Sequence, residues 1–274
     1  MRYILIIFLL FSFAIYSKDE FDEFDEDEPL NREIEFGMRV WQGYHSEDRF
    51  EGDLRKYKSV TSNLIYSSTN MEPFRFNSGY EFIGRYRLYK NWKAGIILGT
   101  GKFRKFRLSE IDSTGAITDW KIHLGSDYMM LGGMYEWFYS SFSLELGAAL
   151  GVNTTLLEPQ GYTFYTKYSP SETGGTLSAN GLSYRMEATI NKPIDDNLTF
   201  QIGIAGTWHT APYFSGSLVK DSGSFYIRSD GSVGLLTESQ GADSLINTEL
   251  AVRKLDMFYG YFQIHTGITY KILF

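Results

Sequence analysis

Apolar and polar side chains alternate along eight separate stretches of the chain, which is the period of a β-strand with one apolar face. In the first stretch, residues 32–41, Ile34, Phe36, Met38 and Val40 share one face, and Glu, Gly and Arg residues share the other. The same alternation returns at residues 76–89, 92–101, 127–138, 142–152, 182–190, 198–209 and 260–274. Most of these stretches are about ten residues or longer, which is enough for a tilted strand to cross the apolar core of a bilayer.

The connections between these stretches alternate between short and long. Short ones lie at residues 90–91, 139–141 and 191–197, and long polar ones lie near 44–75, 105–125, 153–181 and 211–258. Short turns at one rim and long loops at the other are typical of outer-membrane barrels. The pattern predicts an all-β fold, an antiparallel up-and-down transmembrane β-barrel of eight strands over residues 32–274.

A hairpin signal inside the last connection leaves a ten-strand barrel as the alternative. Residues 222–236 read as two short strands around a Ser-Asp-Gly turn at 229–231. Lys220 and Arg228 would then face lipid, where a charge at the bilayer midplane costs roughly 2–4 kcal/mol. We therefore expect this hairpin above the membrane, and residues 243–258 as a short helix or as the raised start of the last strand.

The N-terminal segment is predicted to lie outside the barrel. Residues 1–17 place Arg2 before an apolar run that is too short for a comfortable spanning helix, which indicates a cleaved secretory signal peptide. An uncleaved anchor is the alternative. Residues 18–31 hold a dense block of carboxylates, which predicts an acidic periplasmic tail.

Composition narrows the class of partner. The net charge is −7, so nucleic acid is not an expected partner, because phosphate binding needs a basic surface. The chain has no cysteine, which excludes disulfides, a thiolate nucleophile and a lipid-modified cysteine. Aromatic residues make up 17% of the chain and there are 27 glycines, a composition that favours strands over helices.

A secreted β-sandwich would also alternate, and two features favour the barrel. Glycines crowd the polar face, which suits a packed interior better than a solvated surface. Aromatic side chains also gather at the short-turn ends, as an interfacial girdle requires: Tyr86, Tyr89, Trp92, Tyr135, Trp137, Tyr139 and Phe142.

The chain resembles the small bacterial outer-membrane β-barrels of the OmpA, OmpX and OmpW type over residues 32–274. The signal peptide, the eight alternating stretches and the closing sequence ITYKILF carry this resemblance. In that superfamily the last strand is the recognition signal for the barrel-assembly machinery. The resemblance therefore implies that role for the alternating residues Ile268, Tyr270, Ile272 and Phe274, and it implies the outer membrane as the location.

The inward face of the predicted barrel carries charges of both signs. An eight-strand barrel is just wide enough for side chains to fill it, so these charges are expected to pair and close the lumen. A polar conduit or proton path is the alternative. Strand register places Glu35, Arg39, Glu81, Arg85, Arg87, Lys93, Glu136, Glu145, Arg185 and Glu187 in this network, with Glu33 and Lys271 beside them.

Candidate chemistry elsewhere is sparse. His123 with Asp112, Asp119 and Asp127 would sit at the rim, but not in the arrangement of an omptin protease, and His209 lacks the close His-x-Ser spacing of a lipid-A deacylase. No nucleophile–base–orienter set is visible, so no enzyme, cofactor or metal site is predicted. A basic run in GTGKFRKFRL suggests contacts with lipid headgroups: Lys102, Arg104, Lys105 and Arg107. A solvated extension of the strand is the alternative.

The sequence therefore predicts an integral outer-membrane barrel with a structural or adhesive role. Its surface loops would bind a host or environmental ligand, because large loops on a rigid scaffold usually hold the binding function. The expected partners are outer-membrane lipids, the assembly machinery and an unknown extracellular ligand. A narrow channel for small or apolar solutes is the second interpretation, and a rim hydrolase is the third.

Overall fold

A computed structural model describes residues 33–45, 64–71, 76–112, 117–164, 171–218, 221–228, 233–237, 252–254 and 256–273. The predicted signal peptide at 1–17 and acidic tail at 18–31 lie outside the described residues and stay predictions.

Thirteen strands lie in the described part of the chain. They are β1 Glu33–Tyr44, β2 Leu64–Met71, β3 Phe76–Arg87, β4 Trp92–Asp112, β5 Ile117–Phe138, β6 Ser143–Phe164, β7 Ser171–Pro193, β8 Leu198–Pro212, β9 Ser215–Leu218, β10 Asp221–Arg228, β11 Val233–Thr237, β12 Val252–Lys254 and β13 Asp256–Leu273.

Eight of these strands form a closed antiparallel barrel in the order β1, β3, β4, β5, β6, β7, β8 and β13, with β13 pairing back onto β1. The closing pair runs from Glu33 opposite Leu273 to Tyr44 opposite Phe262. Closure satisfies the backbone of every wall strand without leaving a sheet edge. Each alternating stretch coincides with one barrel strand, which confirms the predicted eight-strand fold.

The predicted hairpin forms outside the barrel wall. Strands β10 and β11 pair from Gly223 opposite Thr237 to Ile227 opposite Val233. They continue the sheet through β9, which pairs with the upper part of β7. The ten-strand alternative is therefore not adopted, and the turn at 229–231 lies outside the described residues. Strand β12 and the start of β13 fall in 252–258, so this part of the 243–258 segment is strand and not helix.

Two of the predicted loops are more regular than the sequence indicated. Strands β4 and β5 leave only residues 113–116 between them, and β6 and β7 leave only 165–170, so most of 105–125 and 153–181 extends the wall. An apolar layer fills this extension from inside: Leu124, Leu157, Leu177 and Phe214 are at most 2% exposed. We call this end of the barrel the long-loop rim.

The opposite end, the short-turn rim, is ringed by paired aromatic side chains. Its tight turns close through backbone hydrogen bonds such as that from the Tyr139 N–H to the Phe142 carbonyl, 2.9 Å. The rings of Tyr139 and Phe142 stack at 4.8 Å, and Trp92 meets Tyr135 edge-on at 5.0 Å. Amphipathic rings at one level are the girdle expected at a membrane–water interface.

Between the two rims the outer wall is a continuous apolar belt. Its side chains are exposed although they are large and apolar; Leu131, Leu150 and Ile264 keep 66%, 64% and 58% of their surface open. Monomeric soluble proteins rarely expose apolar patches larger than a few hundred Å². A band that circles the barrel therefore faces the hydrocarbon of a membrane. Within the described residues, no helix is long and apolar enough to cross a membrane.

Candidate functional site

The interior of the barrel holds the charged residues that the sequence predicts for the lumen, and strand register brings them together. Inward positions on neighbouring strands face each other in pairs, so Glu35 of β1 lies opposite Arg85 of β3, and Arg39 lies opposite Glu81. All ten charged residues predicted for the lumen lie on inward faces. Nine of them are buried and Arg87 is half-buried at the short-turn rim.

The lowest part of the network lies at the short-turn rim. Glu33 lies 3.7 Å from the Lys271 ammonium and 3.2 Å from the Arg87 guanidinium. Arg87 also reaches Glu136 at 2.9 Å, and Lys93 lies 2.8 Å from the same carboxylate. Each carboxylate at this level therefore bridges two cations.

The middle part is organised around two arginines that cross the lumen. Arg85 lies 2.9 Å from Glu145 and 3.5 Å from Glu187, while Arg39 lies 3.0 Å from Glu187 on the far wall. Lys93 joins this level to the one below through Glu35 at 2.6 Å. Directional hydrogen bonds of this kind fix the Arg39 and Arg85 side chains in place, so these side chains fill the barrel axis at this level.

The upper part of the network ends at Glu81. Arg185 pairs with Glu81 at 2.6 Å and with Glu187 at 2.7 Å. The Tyr128 hydroxyl donates to Glu81 at 2.5 Å. Since Arg185 and Glu81 are each at most 2% exposed, this pair is removed from water. The network thus contains six carboxylates and six cations, and its formal charge is zero.

Apolar residues share the lumen with these charges, and the sequence interpretation missed them. Ile83, Ile97, Met130 and Ala149 form a buried cluster on the inner wall of β3 to β6, together with Tyr128. Their inward positions could have been found from the two-residue period, because each has the same parity as a predicted lumen residue on its strand. They line the inner wall beside the charged residues of the same strands.

An aromatic layer covers the charges towards the long-loop rim. Trp41 stacks on Tyr261 with ring centroids 5.0 Å apart, and Phe103 packs against Tyr261 at 5.1 Å and Tyr259 at 5.5 Å. Glycine makes this possible, because a Cβ on Gly79 would lie 2.6 Å from the Trp41 ring. Charges, aromatic rings and leucines therefore follow one another along the axis.

A serine–histidine pair lies inside the aromatic layer. Ser183 faces His209 across β7 and β8, and the Ser183 hydroxyl lies 2.7 Å from His209 Nδ1. His209 Nε2 lies 3.3 Å from the Tyr261 hydroxyl, so a phenol holds the position that a carboxylate occupies in a hydrolase triad. Both residues are 0% exposed. Ser215, the serine near His209 in sequence, lies on β9.

The other candidate catalytic residues do not form a group. His123 and Asp127 are four residues apart on β5, which separates their backbones by about 13 Å. Asp119 lies four residues away in the other direction, and Asp112 ends β4 opposite Leu64. Across the residues that the structure describes, no three His, Asp or Glu side chains could hold a metal ion together.

The predicted lipid and assembly residues lie on the outer wall or along it. Ile268, Tyr270 and Ile272 face outward in the belt and are 44–50% exposed, whereas Phe274 lies outside the described residues. Lys102 is exposed at the upper boundary of the belt. Arg104, Lys105 and Arg107 lie further along β4, and their side chains lie outside the described part.

These features together define the class of the protein. A closed antiparallel barrel with an apolar belt, an aromatic girdle and a polar interior is an outer-membrane β-barrel, and the chain is located in the outer membrane. This confirms the class that the sequence resemblance predicted.

Comparison with known proteins does not assign a family. No family model and no curated protein matches the chain. Among solved structures, it is similar to the outer membrane protein OprG from Pseudomonas aeruginosa, with 10% identity, 88% of this chain and 96% of that chain covered, and a TM-score of 0.38. It is also similar to Ail of Yersinia pestis, solved with the heparin analogue sucrose octasulfate, with 14% identity, coverage of 89% and 100%, and a TM-score of 0.34. The protease OmpT from Escherichia coli matches with 11% identity, coverage of 90% and 97%, and a TM-score of 0.36.

Proposed function

We propose that this protein is a structural and adhesive component of the outer membrane, and that its barrel is an anchor and not a pore. The observation that supports this proposal is the filled lumen. Paired charges and an apolar cluster share the middle of the lumen, and the aromatic layer and the apolar layer of Leu124, Leu157, Leu177 and Phe214 follow towards the long-loop rim. Because the lumen is filled, the interior of the barrel offers no conduit. The strands that extend beyond the belt can still bind a ligand.

Conductance in planar lipid bilayers tests the anchor against the narrow channel for small or apolar solutes. The refolded protein is expected to give no reproducible single-channel steps, because water and ions find no continuous path through the paired charges. The variant R39A/R85A/R185A removes the three arginines that cross the lumen, and protein of this variant that still shows the heat-dependent gel shift of a folded barrel serves as the control for an opened lumen. Stable channels in the unmodified protein would reject the plug.

The adhesive part of the proposal rests on the strands above the belt. Strands β9, β10 and β11 add a sheet at the long-loop rim that the barrel does not need for closure. Cells that display the protein should adhere to a host-cell or mineral surface, and replacing residues 219–237 with a short glycine–serine linker should reduce adhesion. Equal adhesion by the two forms and by cells lacking the protein would contradict this role.

We also propose that the chain is not a rim hydrolase, since its serine–histidine pair is buried and the backbones of Asp119 and Asp127 each lie about 13 Å from that of His123 along β5. Substituting His123 or His209 should leave peptide and lipid-A cleavage at the background of the empty membrane. Cleavage that the unmodified protein supports and either substitution removes would contradict this proposal.

A further inference from the structure

A β-bulge in β4 decides which basic residues share one face of the wall. Lys102 pairs with Gly125 and Lys105 pairs with His123, so three residue steps along β4 match two along β5. Without this bulge, the two-residue period would place Lys105 and Arg107 on the face opposite to Lys102. With the bulge, all three positions lie on the same face of the sheet.

Two residues of β5 show that this face is the outer one. Lys121 is exposed and His123 is half-buried, whereas Leu124 points into the lumen and is 2% exposed. The register places Lys105 opposite His123 and Arg107 opposite Lys121. Residues that are directly opposite share one face of a sheet. We call this surface the basic patch, and it consists of Lys102, Lys105, Arg107, Lys121 and His123.

The two lysines of the basic patch with described side chains, Lys102 and Lys121, have no acidic partner. Neither forms an ion pair or a hydrogen bond within the described part of the chain. Arg107 and Lys121 hold directly opposite positions, and like charges in such positions destabilise a strand pair. Their neighbours on the same register line, Asn70 of β2 and Gln160 of β6, carry no charge. A bound anion would remove the repulsion.

Two acidic residues lie at the edges of the basic patch. Glu158 of β6 is the register partner of His123, and Asp127 of β5 lies below the patch at the boundary of the belt. Both acidic side chains are exposed. The patch therefore holds lysine and arginine positions with hydrogen-bond acceptors beside them, an arrangement that suits an anionic ligand with hydroxyl groups.

The basic patch extends further above the belt than a phospholipid headgroup does. Thr100 and Asp127 pair at the upper boundary of the belt. Each outward position above this pair adds about 5 Å of height on a tilted strand, so Lys102 lies about 5 Å and the Arg107–Lys121 pair about 15 Å above the boundary. The headgroup layer on each side of a phospholipid bilayer is about 5–7 Å deep. A ligand that reaches the whole patch from the membrane must carry a taller headgroup.

We propose that the basic patch binds a phosphorylated glycolipid of the outer leaflet, of the lipid A type with acidic sugars attached. The phosphate next to the acyl chains meets Lys102, the carboxylates of the acidic sugars meet Arg107 and Lys121, and sugar hydroxyls donate to Asp127. A lipid fits better than a soluble polyanion, because the patch begins within the headgroup layer and lies on the side wall of the barrel.

Native mass spectrometry of the folded protein in detergent tests this depth with three lipids. They are lipid A with two phosphates and two acidic sugars, the same lipid A without the acidic sugars, and phosphatidylglycerol, which has one phosphate. We expect retention to fall in this order, by roughly 5- to 30-fold between the first two, because two further cations engage the acidic sugars. Equal retention of the first two lipids, or a preference for phosphatidylglycerol, would overturn the proposal.

Matched variants locate the binding. R107Q/K121Q should lower the retention of the lipid with acidic sugars to that of lipid A, and should leave lipid A itself unchanged. Lys102→Gln should lower the retention of both. K90Q/K192Q removes two exposed cations at the short-turn rim and should change neither. The heat-dependent gel shift shows that each variant is folded, and retention that R107Q/K121Q leaves unchanged in folded protein rejects the proposal.

A soluble sulfated polysaccharide distinguishes the glycolipid from an extracellular polyanion. It is added to the protein with bound glycolipid, at the same concentration of anionic groups. We expect the glycolipid to stay bound, because its acyl chains along the belt hold the headgroup against the basic patch. Displacement of the glycolipid would assign the patch to a soluble partner and overturn the proposal.

Discussion

At the scale of single residues, the pairing of Glu81 sets the stability of the lumen. Its carboxylate meets the Arg185 guanidinium at 2.6 Å and the Tyr128 hydroxyl at 2.5 Å, away from water. Removing one member of a buried ion pair leaves the other charge without compensation, which costs about 3–5 kcal/mol. The attraction between Glu81 and Arg185 contributes less to stability than an unpaired buried charge would cost if one of the two residues were removed.

Glu81→Ala should therefore lower the free energy of unfolding by about 3–5 kcal/mol, and Arg185→Met should do the same. The double variant E81L/R185M should lose less than the sum of the two, because it buries no unpaired charge. Urea unfolding of the folded protein in detergent micelles measures each midpoint. Asp196→Asn is the surface control, and an unchanged midpoint for Glu81→Ala would remove Glu81 from the network.

Glycine at position 99 permits the Tyr128 ring to lie against the inner wall. A Cβ on Gly99 would clash with that ring, whereas a Cβ on Gly133 would meet nothing within 4 Å. Gly99→Ala should thus cost roughly 1–3 kcal/mol of unfolding free energy through overpacking. Gly133→Ala is the matched control and should be nearly neutral. Equal midpoints for the two variants in the same urea experiment would contradict the packing of Tyr128 on Gly99.

At the scale of strands, the two-residue period was sufficient to predict the strands of the membrane-spanning wall, but it was insufficient to predict their extensions above the belt. In β1 and β3 the apolar belt fixes which face points outward, so the inward positions of Glu35, Arg85 and Glu81 followed directly. Above the belt the outward face is no longer apolar, and only the inward face keeps large apolar side chains such as Leu124, Leu157 and Leu177. The polar stretches of β4 to β7 beyond Asp127 therefore looked like loops, although their backbones are paired.

The partners within the lumen could not be predicted from the same pattern. Parity places Arg185 and Glu81 inside the barrel, but they meet across the axis from β7 and β3, 104 residues apart in sequence. Which charges meet depends on the stagger of the strands around the barrel, and no short stretch of sequence carries that information. The Ser183–His209 pair was missed for the same reason, since its contact follows from the register of β7 against β8.

The hairpin of β10 and β11 should behave as an appendage of the barrel. Its strands pair with each other, with β9 and with β12, and none of these contacts lies in the eight-strand wall. Replacing residues 219–237 with a short glycine–serine linker is expected to leave the urea midpoint and the heat-dependent gel shift unchanged. A loss of the gel shift would show that the hairpin is needed for closure of the barrel.

At the scale of the whole molecule, the belt defines how the barrel sits in the membrane. On β5 the outward positions run from Asp127, at the polar boundary, through Met129 and Leu131 to Trp137 in the girdle. At about 3.3 Å per residue, this ten-residue span covers about 33 Å along a tilted strand, enough to cross the apolar core. Leu131 therefore lies near the midplane.

A cation at the midplane should destabilise the barrel in a bilayer far more than a cation above the belt. Leu131→Arg is expected to cost about 2–4 kcal/mol in lipid vesicles, while Thr176→Arg, exposed on β7 beyond the belt, should cost about 0–1 kcal/mol. Urea unfolding in vesicles measures both variants. Repeating it in detergent micelles, which deform around a charge, should narrow the difference between them. If the two variants lose the same stability in vesicles, the belt does not mark the membrane core.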